Sequence, residues 1–476
     1  MTIGNLLQIN AKGPEDQYLY GNPQSTHFKS VFKQSTNFAS DYYKISDNYF
    51  LGIDFGQTVK MKIPHIGDLV GGLYLEMKLK DMVRRSPFFN IDSEVLFDPQ
   101  FTSYVNGIGF NIIDYAKISI NGVAIETLTG ESIFIMNELS NDISKKNSFN
   151  RMNRYFPDTF EVGDSNTKDV LCNLYLPFFF TRDPSVYLPM CALHNSEIQL
   201  EIKFKTVDKC LARLYNYNGS TLPGINGYDS SMGAPAIYEP YIEDVTYGIE
   251  KIELYMKSIY LESNELKLFK TKSLTYLIEC TGIGNTEILN MTNIAQQYYT
   301  TALTFSCPTK FIVWLVQRED VYNANQYDNF TYRFRSRYED GVYAFSYYDH
   351  LIQSSQLLLE NNEYSSVNNP VFLSAVQQYE NFEIGSDLDI YTISFALKPN
   401  KQENTGTMNF SKISKKEMRI QLVDPIKYSI PSSSPGPSPG VGSGDMTYPN
   451  VLFRSYSVYY NVLVVRDGLG GLLFKV

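Results

Sequence analysis

The chain is poor in the residues from which catalytic and metal sites are usually built. It has four histidines and five cysteines in 476 residues, all widely spaced, with no Cys-x-x-Cys or His-Glu-x-x-His pattern. These absences argue against a zinc site, a redox dithiol and a metalloprotease. A Gly-x-Ser-x-Gly elbow is also missing, and the glycine-rich runs 440–444 and 467–471 lack the Lys-Ser/Thr of a phosphate-binding loop. We therefore expect no enzyme activity, and no catalytic, cofactor-binding or metal-binding residues.

Long apolar runs and a basic surface are missing as well. No stretch of about 18 apolar residues is present, which argues against a transmembrane helix. The first residues lack the basic start and apolar core of a secretory signal, so we expect synthesis in the cytosol with reduced cysteines. The formal net charge is −10 and the pI is about 5.1. Because a protein that grips nucleic acid needs a basic face, we expect no direct contact with nucleic acid.

What the chain does contain favours β structure. Aromatic residues make up 14% of the sequence, and charged residues only 19%. Aromatic side chains suit the half-buried surface of a pleated sheet. Apolar and polar residues alternate in several segments, as in Leu73–Leu79 and Ile198–Phe204. This period of two predicts strands with one buried face.

The best-defined local element is a hairpin. Two β-rich segments, Tyr115–Ile120 and Val123–Leu128, are separated only by Asn121 and Gly122. Both residues tolerate the positive φ that a type I′ turn requires at its two central positions. The sequence therefore predicts a tight hairpin with its turn at Asn121-Gly122, followed by a short helix over Glu131–Leu139.

The strand pattern divides the chain into two similar halves. Each half has roughly seven to nine candidate strands and little helix. Loops of unequal length favour Greek-key sandwiches or jelly rolls. The segment Phe311–Gln317 predicts a strand buried on both faces. The predicted organisation is an N-terminal arm (1–40), a first domain (41–214), a linker (215–240) and a second domain (241–476) with a Pro/Ser/Gly-rich surface loop (431–444).

The sequence also contains candidate modification sites. Four Asn-x-Ser/Thr sequons are present, at Asn218, Asn290, Asn329 and Asn409. Without a secretory signal, glycosylation in the secretory pathway is not expected. Asn218 lies in the linker and is the sequon that we expect to be most exposed.

Several ordered blocks resemble the major capsid proteins of nucleocytoplasmic large DNA viruses. The opening block reads YLYGNPQSTHFKSVFKQSTNFA, and the hairpin block has Asn121-Gly122 where the family has Gly-Gly. The Pro/Ser-rich segment 431–444 departs from the family pattern. The similar blocks are 18–39, Ile66–Leu79, Tyr104–Leu139, Leu174–Leu193, Lys257–Phe269, Ile390–Ile413 and Tyr459–Leu472.

The resemblance implies a fold and a function. The fold would be all-β, with two consecutive eight-stranded antiparallel jelly rolls and short helices in loops. Such chains form homotrimers that act as pseudo-hexagonal capsomers and tile the icosahedral shell of the virion. The implied partners are the chain itself, neighbouring capsomers, and minor capsid and penton proteins, close to an inner viral membrane. Assembly would take place in the host cytoplasm.

Two other functions stay open at this point. The chain could be a penton or minor capsid component, which its copy number in purified particles would reveal. It could also be a carbohydrate-binding or carbohydrate-cleaving jelly-roll protein, in which tyrosines of 215–229 and 321–348 stack on sugars. A glycan array and a glycosidase assay would test that alternative.

Overall fold

In the computed structural model the chain forms two units, Met1–Phe38 and Ala39–Val476. The described residues are 34–45, 47–84, 103–140, 143–157, 168–212, 245–290, 298–323, 325–331, 350–423 and 450–474, with 10, 22–23, 26, 28, 215–216 and 236–237. The predicted arm (1–40) and linker (215–240) lie mostly outside these residues. The predicted surface loop (431–444) lies wholly outside them.

Strands dominate the described residues. In the first half the strands are β1 (Phe38–Ile45), β2 (Thr58–Lys62), β3 (Leu69–Leu79), β4 (Val83–Arg84), β5 (Ile113–Ile120), β6 (Val123–Leu128), β7 (Leu171–Tyr175), β8 (Ile198–Phe204), β9 (Tyr215–Asn216), β10 (Ala236–Ile237), β11 (Val245–Thr246) and β12 (Ile249–Leu261). In the second half they are β13 (Leu274–Leu289), β14 (Tyr298–Ala302), β15 (Pro308–Arg318), β16 (Ile352–Leu359), β17 (Asn362–Glu363), β18 (Tyr391–Ser394), β19 (Met408–Asn409), β20 (Lys416–Leu422), β21 (Val451–Arg466) and β22 (Leu469–Leu472).

The helices are short and lie in the connections. They are α1 (Ile108–Asn111), α2 (Gly130–Ser140), α3 (Ile143–Met152), α4 (Phe179–Arg182), α5 (Ser263–Thr271), α6 (Glu319–Asn323) and α7 (Gln377–Asn381), which continues a π-helical turn over Phe372–Val376. Tight 3-10 turns cover Asp47–Phe50, Pro184–Val186, Met190–Ala192, Val207–Lys209 and Phe410–Lys412. In the described part of the chain, no helix is long and apolar enough to cross a membrane.

Two antiparallel sheets form the first sandwich. Sheet 1A has the strand order β1-β12-β3-β7, and sheet 1B has the order β2-β8-β5-β6. Alternate side chains of β3, such as Leu73 and Leu75, are fully buried, as are Leu200 and Ile202 of β8 in the opposite sheet. Since neighbouring residues of a strand point to opposite faces, this alternation builds a core between the two sheets.

The second sandwich repeats the wiring of the first. Sheet 2A has the order β13-β21-β15-β18, with β19 beside β15 and β22 beside β21, and sheet 2B has the order β14-β20-β16-β17. Consecutive main strands therefore pass between the two sheets in the same sequence in both sandwiches, as in a jelly roll. The fold is a double jelly roll, as the resemblance implied. The corresponding strands are β1 and β13, β2 and β14, β3 and β15, β5 and β16, β6 and β17, β7 and β18, β8 and β20, and β12 and β21.

The division between the two jelly rolls differs from the predicted one. Strand β12 pairs with β3 from Ile249 opposite Leu79 to Ile259 opposite Leu69, so it belongs to the first roll. The prediction placed everything from 241 onward in the second domain, because it took the Gly- and Pro-rich segment 215–240 as the boundary. In a jelly roll the last strand returns to pair beside the first, so a long polar connection here lies inside the first roll. Helix α5 follows β12 and leads to the second roll.

Strand β15 confirms the predicted strand with two buried faces. Ile312, Trp314 and Val316 point into the core between sheets 2A and 2B. Phe311 and Leu315, on the opposite face, belong to the same buried cluster as the core of the first roll. Sheet 2A is therefore a layer shared by the two jelly rolls. The predicted short helix is also confirmed as α2.

Candidate functional site

The functional feature of this chain is the surface where its two jelly rolls meet, here called the inter-roll interface. The first roll contributes α2, which lies against the outer face of sheet 2A, and β6 and α4, which meet the free edge of that sheet at β13. Burying one large apolar side chain stabilises a fold by about 1.5–3 kcal/mol relative to leaving it exposed. The apolar part of sheet 2A that joins the core of the first roll includes Ile278, Phe311, Val313, Leu315, Tyr456 and Val458.

The first polar cluster of the inter-roll interface surrounds Glu126, near the end of β6. Its carboxylate is fully buried, and Oε1 accepts hydrogen bonds from Arg182 at 2.6 Å and from the Thr281 amide at 2.9 Å. Oε2 accepts from the Phe179 amide at 2.6 Å. Burial raises the pKa of Glu126, whereas the Arg182 guanidinium and the backbone donors oppose that rise. The carboxylate thus connects two segments of the first roll to β13 of the second.

The same side chains cover a sheet edge. Among the described strands, β13 pairs with β21 alone and is an edge of sheet 2A. On its free side the carbonyl oxygen of Glu279 accepts from Arg182 at 3.2 Å, while the Thr281 amide donates to Glu126. Exposed strand edges invite pairing with other chains. Side chains of the first roll therefore take the place that a neighbouring strand would fill.

The second polar cluster surrounds Arg454, in β21. Its Nε and a terminal nitrogen each lie 2.8 Å from an oxygen of Glu131, and the terminal nitrogen also donates to Gln317 at 2.6 Å. The guanidinium lies 4.8 Å from the ring centre of Tyr322. Glu131 accepts a further hydrogen bond from the Tyr456 hydroxyl, whose pKa is raised by burial. Glu131 lies in the first turn of α2, where a negative charge is favourable.

The predicted hairpin turn takes part in the third polar cluster. Asn121 and Gly122 have φ angles of 52° and 80° and connect β5 to β6. The Asn121 side chain accepts from the Glu197 amide at 2.9 Å and donates to the Ser196 hydroxyl at 3.2 Å. That hydroxyl donates to the carbonyl oxygen of Gly468 at 3.1 Å. The turn is thereby linked to the hairpin that ends the second roll.

The sequons occupy different environments. Asn290 and Asn409 are exposed. Asn329 is fully buried, and its amide donates to Gln326 at 3.0 Å and accepts from the Thr331 hydroxyl at 2.8 Å. A side chain enclosed in this way cannot carry a glycan in the folded chain. Asn218 lies outside the described residues.

The cysteines of the chain are free thiols, and burial keeps several of them protonated. All five cysteines are unpaired. Burial raises the pKa of Cys172 and Cys210 to about 12 and that of Cys191 to about 11, so these thiols stay protonated at neutral pH. Within the described ranges, no group of three or more His, Cys, Asp or Glu side chains is placed to hold a metal ion.

The tyrosines proposed for sugar stacking have structural partners where they are described. The Tyr322 ring lies edge-on to the Tyr327 ring, with centres 5.3 Å apart, and it also packs against Arg454. The Tyr327 hydroxyl donates to the carbonyl oxygen of Lys209 at 2.9 Å. These two rings therefore support the inter-roll interface. Residues 332–349 of the same segment lie outside the described residues.

Sequence reasoning missed these buried charged residues of sheet 2A, although one signal was present. Arg454 is a single charge within the long β-rich run Val451–Val465, and Lys310 precedes the apolar run Phe311–Gln317. A charge inside a strand that is otherwise apolar or aromatic indicates a buried partner, because an unpaired buried charge is costly. Arg454 has that partner in Glu131, and the wholly buried Lys310 pairs with Glu279.

The double jelly roll and its polar interface define a structural building block. Residues 26–262 match the family described as major capsid protein N-terminus, and 265–471 match the large eukaryotic DNA virus major capsid protein family. The chain belongs to the major capsid proteins of large eukaryotic DNA viruses. It is a structural component of the virion capsid and not an enzyme. The two matches meet just after β12, which agrees with the strand pairing.

Relatives and solved structures agree with this assignment. The major capsid protein of Pyramimonas orientalis virus is 24% identical over 99% of each chain. The fold superposes on PBCV-1 VP54 with a TM-score of 0.70 at 20% identity, covering 95% of this chain and 100% of that one. It superposes on the Faustovirus major capsid protein with a TM-score of 0.65 at 11% identity, covering 98% and 97%.

The outer face of sheet 1B leads to a prediction about acid stability. The Glu201 carboxylate accepts from the Tyr115 hydroxyl at 2.6 Å and lies 3.0 Å from the ammonium of Lys117. These partners, the tyrosine first, lower the pKa of Glu201 from 4.5 to about 2. The unfolded chain therefore binds a proton here before the folded chain does. The stabilisation from this carboxylate is present above pH 4.5 and is lost as the pH falls towards 2.

We expect Glu201→Gln to reduce the fall in thermal midpoint between pH 5 and pH 2.5. Glu250→Gln, which removes an exposed carboxylate beside Lys78, is the control and should retain the wild-type pH profile. Differential scanning fluorimetry at steps of half a pH unit measures both. A profile for Glu201→Gln as steep as that of the wild type would contradict the assignment.

Proposed function

We propose that three copies of the chain associate into a trimer whose six jelly rolls give a pseudo-hexagonal capsomer, and that capsomers tile an icosahedral shell. The observation that carries this proposal is the repeated strand order of the two rolls. One chain supplies two similar blocks, and a three-fold axis turns them into six. A six-sided outline suits a repeating surface lattice, since its sides are alike although only three chains build it.

The inter-roll interface supports this role because a tile needs a fixed shape. Neighbouring tiles fit only when the angle between the two rolls is the same in every copy. Apolar packing alone tolerates small shifts, whereas buried hydrogen bonds between charged groups favour one arrangement because their geometry is directional. The clusters around Glu126 and Arg454 each join both rolls through charged hydrogen bonds. The chain is therefore suited to act as one rigid unit.

The proposal includes the setting of the capsomer. We infer assembly in the host cytoplasm, contacts with minor capsid and penton proteins, and a shell close to an inner membrane. The net charge of −10 supports a shell that does not bind the genome directly. The exposed Asn290 and Asn409 remain candidate glycosylation positions, to be checked by the mass of their peptides from purified particles.

The oligomeric state tests the proposal. We expect the purified full-length chain at micromolar concentration to have about three times the mass of a 54.4 kDa monomer in sedimentation velocity. The reason is that an obligate oligomer of this kind buries about 2,000 Å² or more. Negative-stain images should show six-sided particles. A chain that stays monomeric under these conditions would contradict the proposed capsomer.

A further inference from the structure

The repeated strand order makes surfaces of the two jelly rolls equivalent. Sheet 2A of the second roll corresponds to sheet 1A of the first, since β13-β21-β15-β18 corresponds to β1-β12-β3-β7. The connection from β6 to β7 carries α2 and α3. The corresponding connection from β17 to β18 carries the helical segment 370–381.

One pair of these surfaces is already in contact within the chain. Helix α2 lies against the outer face of sheet 2A, where Glu131 meets Arg454 and Tyr456. The end of β6 lies at the free edge of the same sheet, where Glu126 meets Thr281. The other pair consists of segment 370–381 and the outer face of sheet 1A. Among the described residues, each member of this second pair presents exposed aromatic side chains.

Segment 370–381 has one exposed apolar face. Asn369 accepts a hydrogen bond from the Val371 amide at 2.8 Å and, with Pro370, starts the helix. On the inner side, the Gln378 side chain donates to the carbonyl oxygen of Ile390 at 2.7 Å. The outer side presents Val371, Ala375, Val376 and Tyr379, and the Tyr379 side chain is 88% exposed. An exposed apolar helix face of this kind indicates a binding surface.

The outer face of sheet 1A carries a row of tyrosines. The ring centres of Tyr42 and Tyr74 are 5.8 Å apart, and those of Tyr74 and Tyr175 are 5.0 Å apart. These residues come from β1, β3 and β7, so the row crosses the sheet. Ion pairs such as Lys251 with Glu253 occupy another part of the same face, as Lys62 with Glu197 does on the outer face of sheet 1B. Tyrosine is enriched in protein interfaces, whereas Lys and Glu are depleted.

We propose that segment 370–381 of one copy packs with its apolar face on the tyrosine row of sheet 1A of the next copy. The contact between copies then repeats the contact that α2 makes with sheet 2A inside each chain. The inference rests on the proposed trimer and names the surfaces that close it. Each copy contributes two different surfaces, one on each roll, as a ring with a three-fold axis requires. Internal and external contacts then alternate around six jelly rolls.

Charge placed on the helix face tests the inference. We expect Val376→Asp and Tyr379→Asp each to weaken the trimer, so that the concentration below which it dissociates rises by about tenfold or more. The reason is that a few buried side chains at the centre of an interface carry most of its binding energy. Leu268→Asp is the matched control, since Leu268 is 50% exposed on α5 and lies outside both surfaces. That variant should remain trimeric. Sedimentation velocity gives the mass, and far-UV circular dichroism of the dissociated chain checks that the fold is retained.

Photo-crosslinking identifies the partner surface. We expect p-benzoylphenylalanine at position 379, in trimers assembled from mixed light and heavy-isotope chains, to capture peptides that contain Tyr42, Tyr74 or Tyr175 of another copy. If the wild-type chain is trimeric and both aspartate variants remain equally trimeric, the inference is overturned while the proposed trimer stands. Crosslinks only to other surfaces do the same. A monomeric wild type overturns the proposed capsomer and this contact with it.

Discussion

Replacing Arg454 with methionine should lower the free energy of unfolding by about 3 kcal/mol, the lower end of the cost of breaking a buried ion pair. The Arg454 side chain is 7% exposed and bridges Glu131 of the first roll and Gln317 of the second. Methionine keeps much of the volume but leaves the Glu131 carboxylate and the Gln317 amide oxygen without their shared donor. Urea unfolding followed by tyrosine and tryptophan fluorescence measures the change.

Arg466→Met is the matched control, because Arg466 ends the same strand and its side chain is 76% exposed. Its effect should lie within about 0.5 kcal/mol. A double-mutant cycle of Arg454→Met with Glu131→Gln should give a coupling free energy of about 1–3 kcal/mol. Equal effects at positions 454 and 466, or a coupling near zero, would show that Arg454 does not hold the two rolls together.

Glu126→Ala should be the most damaging single change in the inter-roll interface, with a loss of about 3–5 kcal/mol in the free energy of unfolding. The carboxylate is fully buried and accepts from the Arg182 guanidinium and from the amides of Phe179 and Thr281. Alanine removes both carboxylate oxygens, which accept all of these hydrogen bonds. It leaves a charged side chain and two backbone N–H groups enclosed by protein, each with a desolvation cost.

Glu126→Gln separates the charge from the shape of this side chain. Its amide oxygen can accept either from Arg182 and Thr281 or from Phe179, while its NH2 group faces the donors on the other side. We therefore expect a loss between that of alanine and zero.

Glu250→Ala, at an exposed site on β12, should change the free energy of unfolding by less than about 1 kcal/mol. Static light scattering should also show more aggregation for Glu126→Ala, because the free edge of β13 loses its cover. Wild-type stability and solubility in Glu126→Ala would rule out this role.

Local elements could be predicted because neighbouring residues decide them. Asn121 and Gly122 tolerate positive φ, and the apolar residues on either side alternate, so a hairpin follows. The continuous apolar run in β15 predicted burial on both faces, and the structure places that strand between the two cores. The order of the similar blocks also connects the chain to its family.

The boundary between the rolls could not be found in the same way. Composition marks connections between strands, and 215–240 is the most Gly-, Ser- and Asn-rich stretch before β12. Whether such a connection lies between domains or inside one depends on where the next strand pairs. Strand β12 pairs with β3, about 180 residues earlier, and the secondary-structure propensities of neighbouring residues do not identify that partner strand.

The sequence by itself determined that the chain is β-rich, acidic and without a catalytic pattern, and it determined several of the strands, the Asn121-Gly122 turn and the resemblance to capsid proteins. Only the tertiary structure decided that Glu126 meets Arg182 and Thr281, that Glu131 meets Arg454, and that sheet 2A is shared by both rolls. The reason is physical. The alternation of apolar and polar residues and the conformation of a turn depend on residues next to one another in the sequence. The partner of a buried charge depends instead on the topology that brings distant strands together.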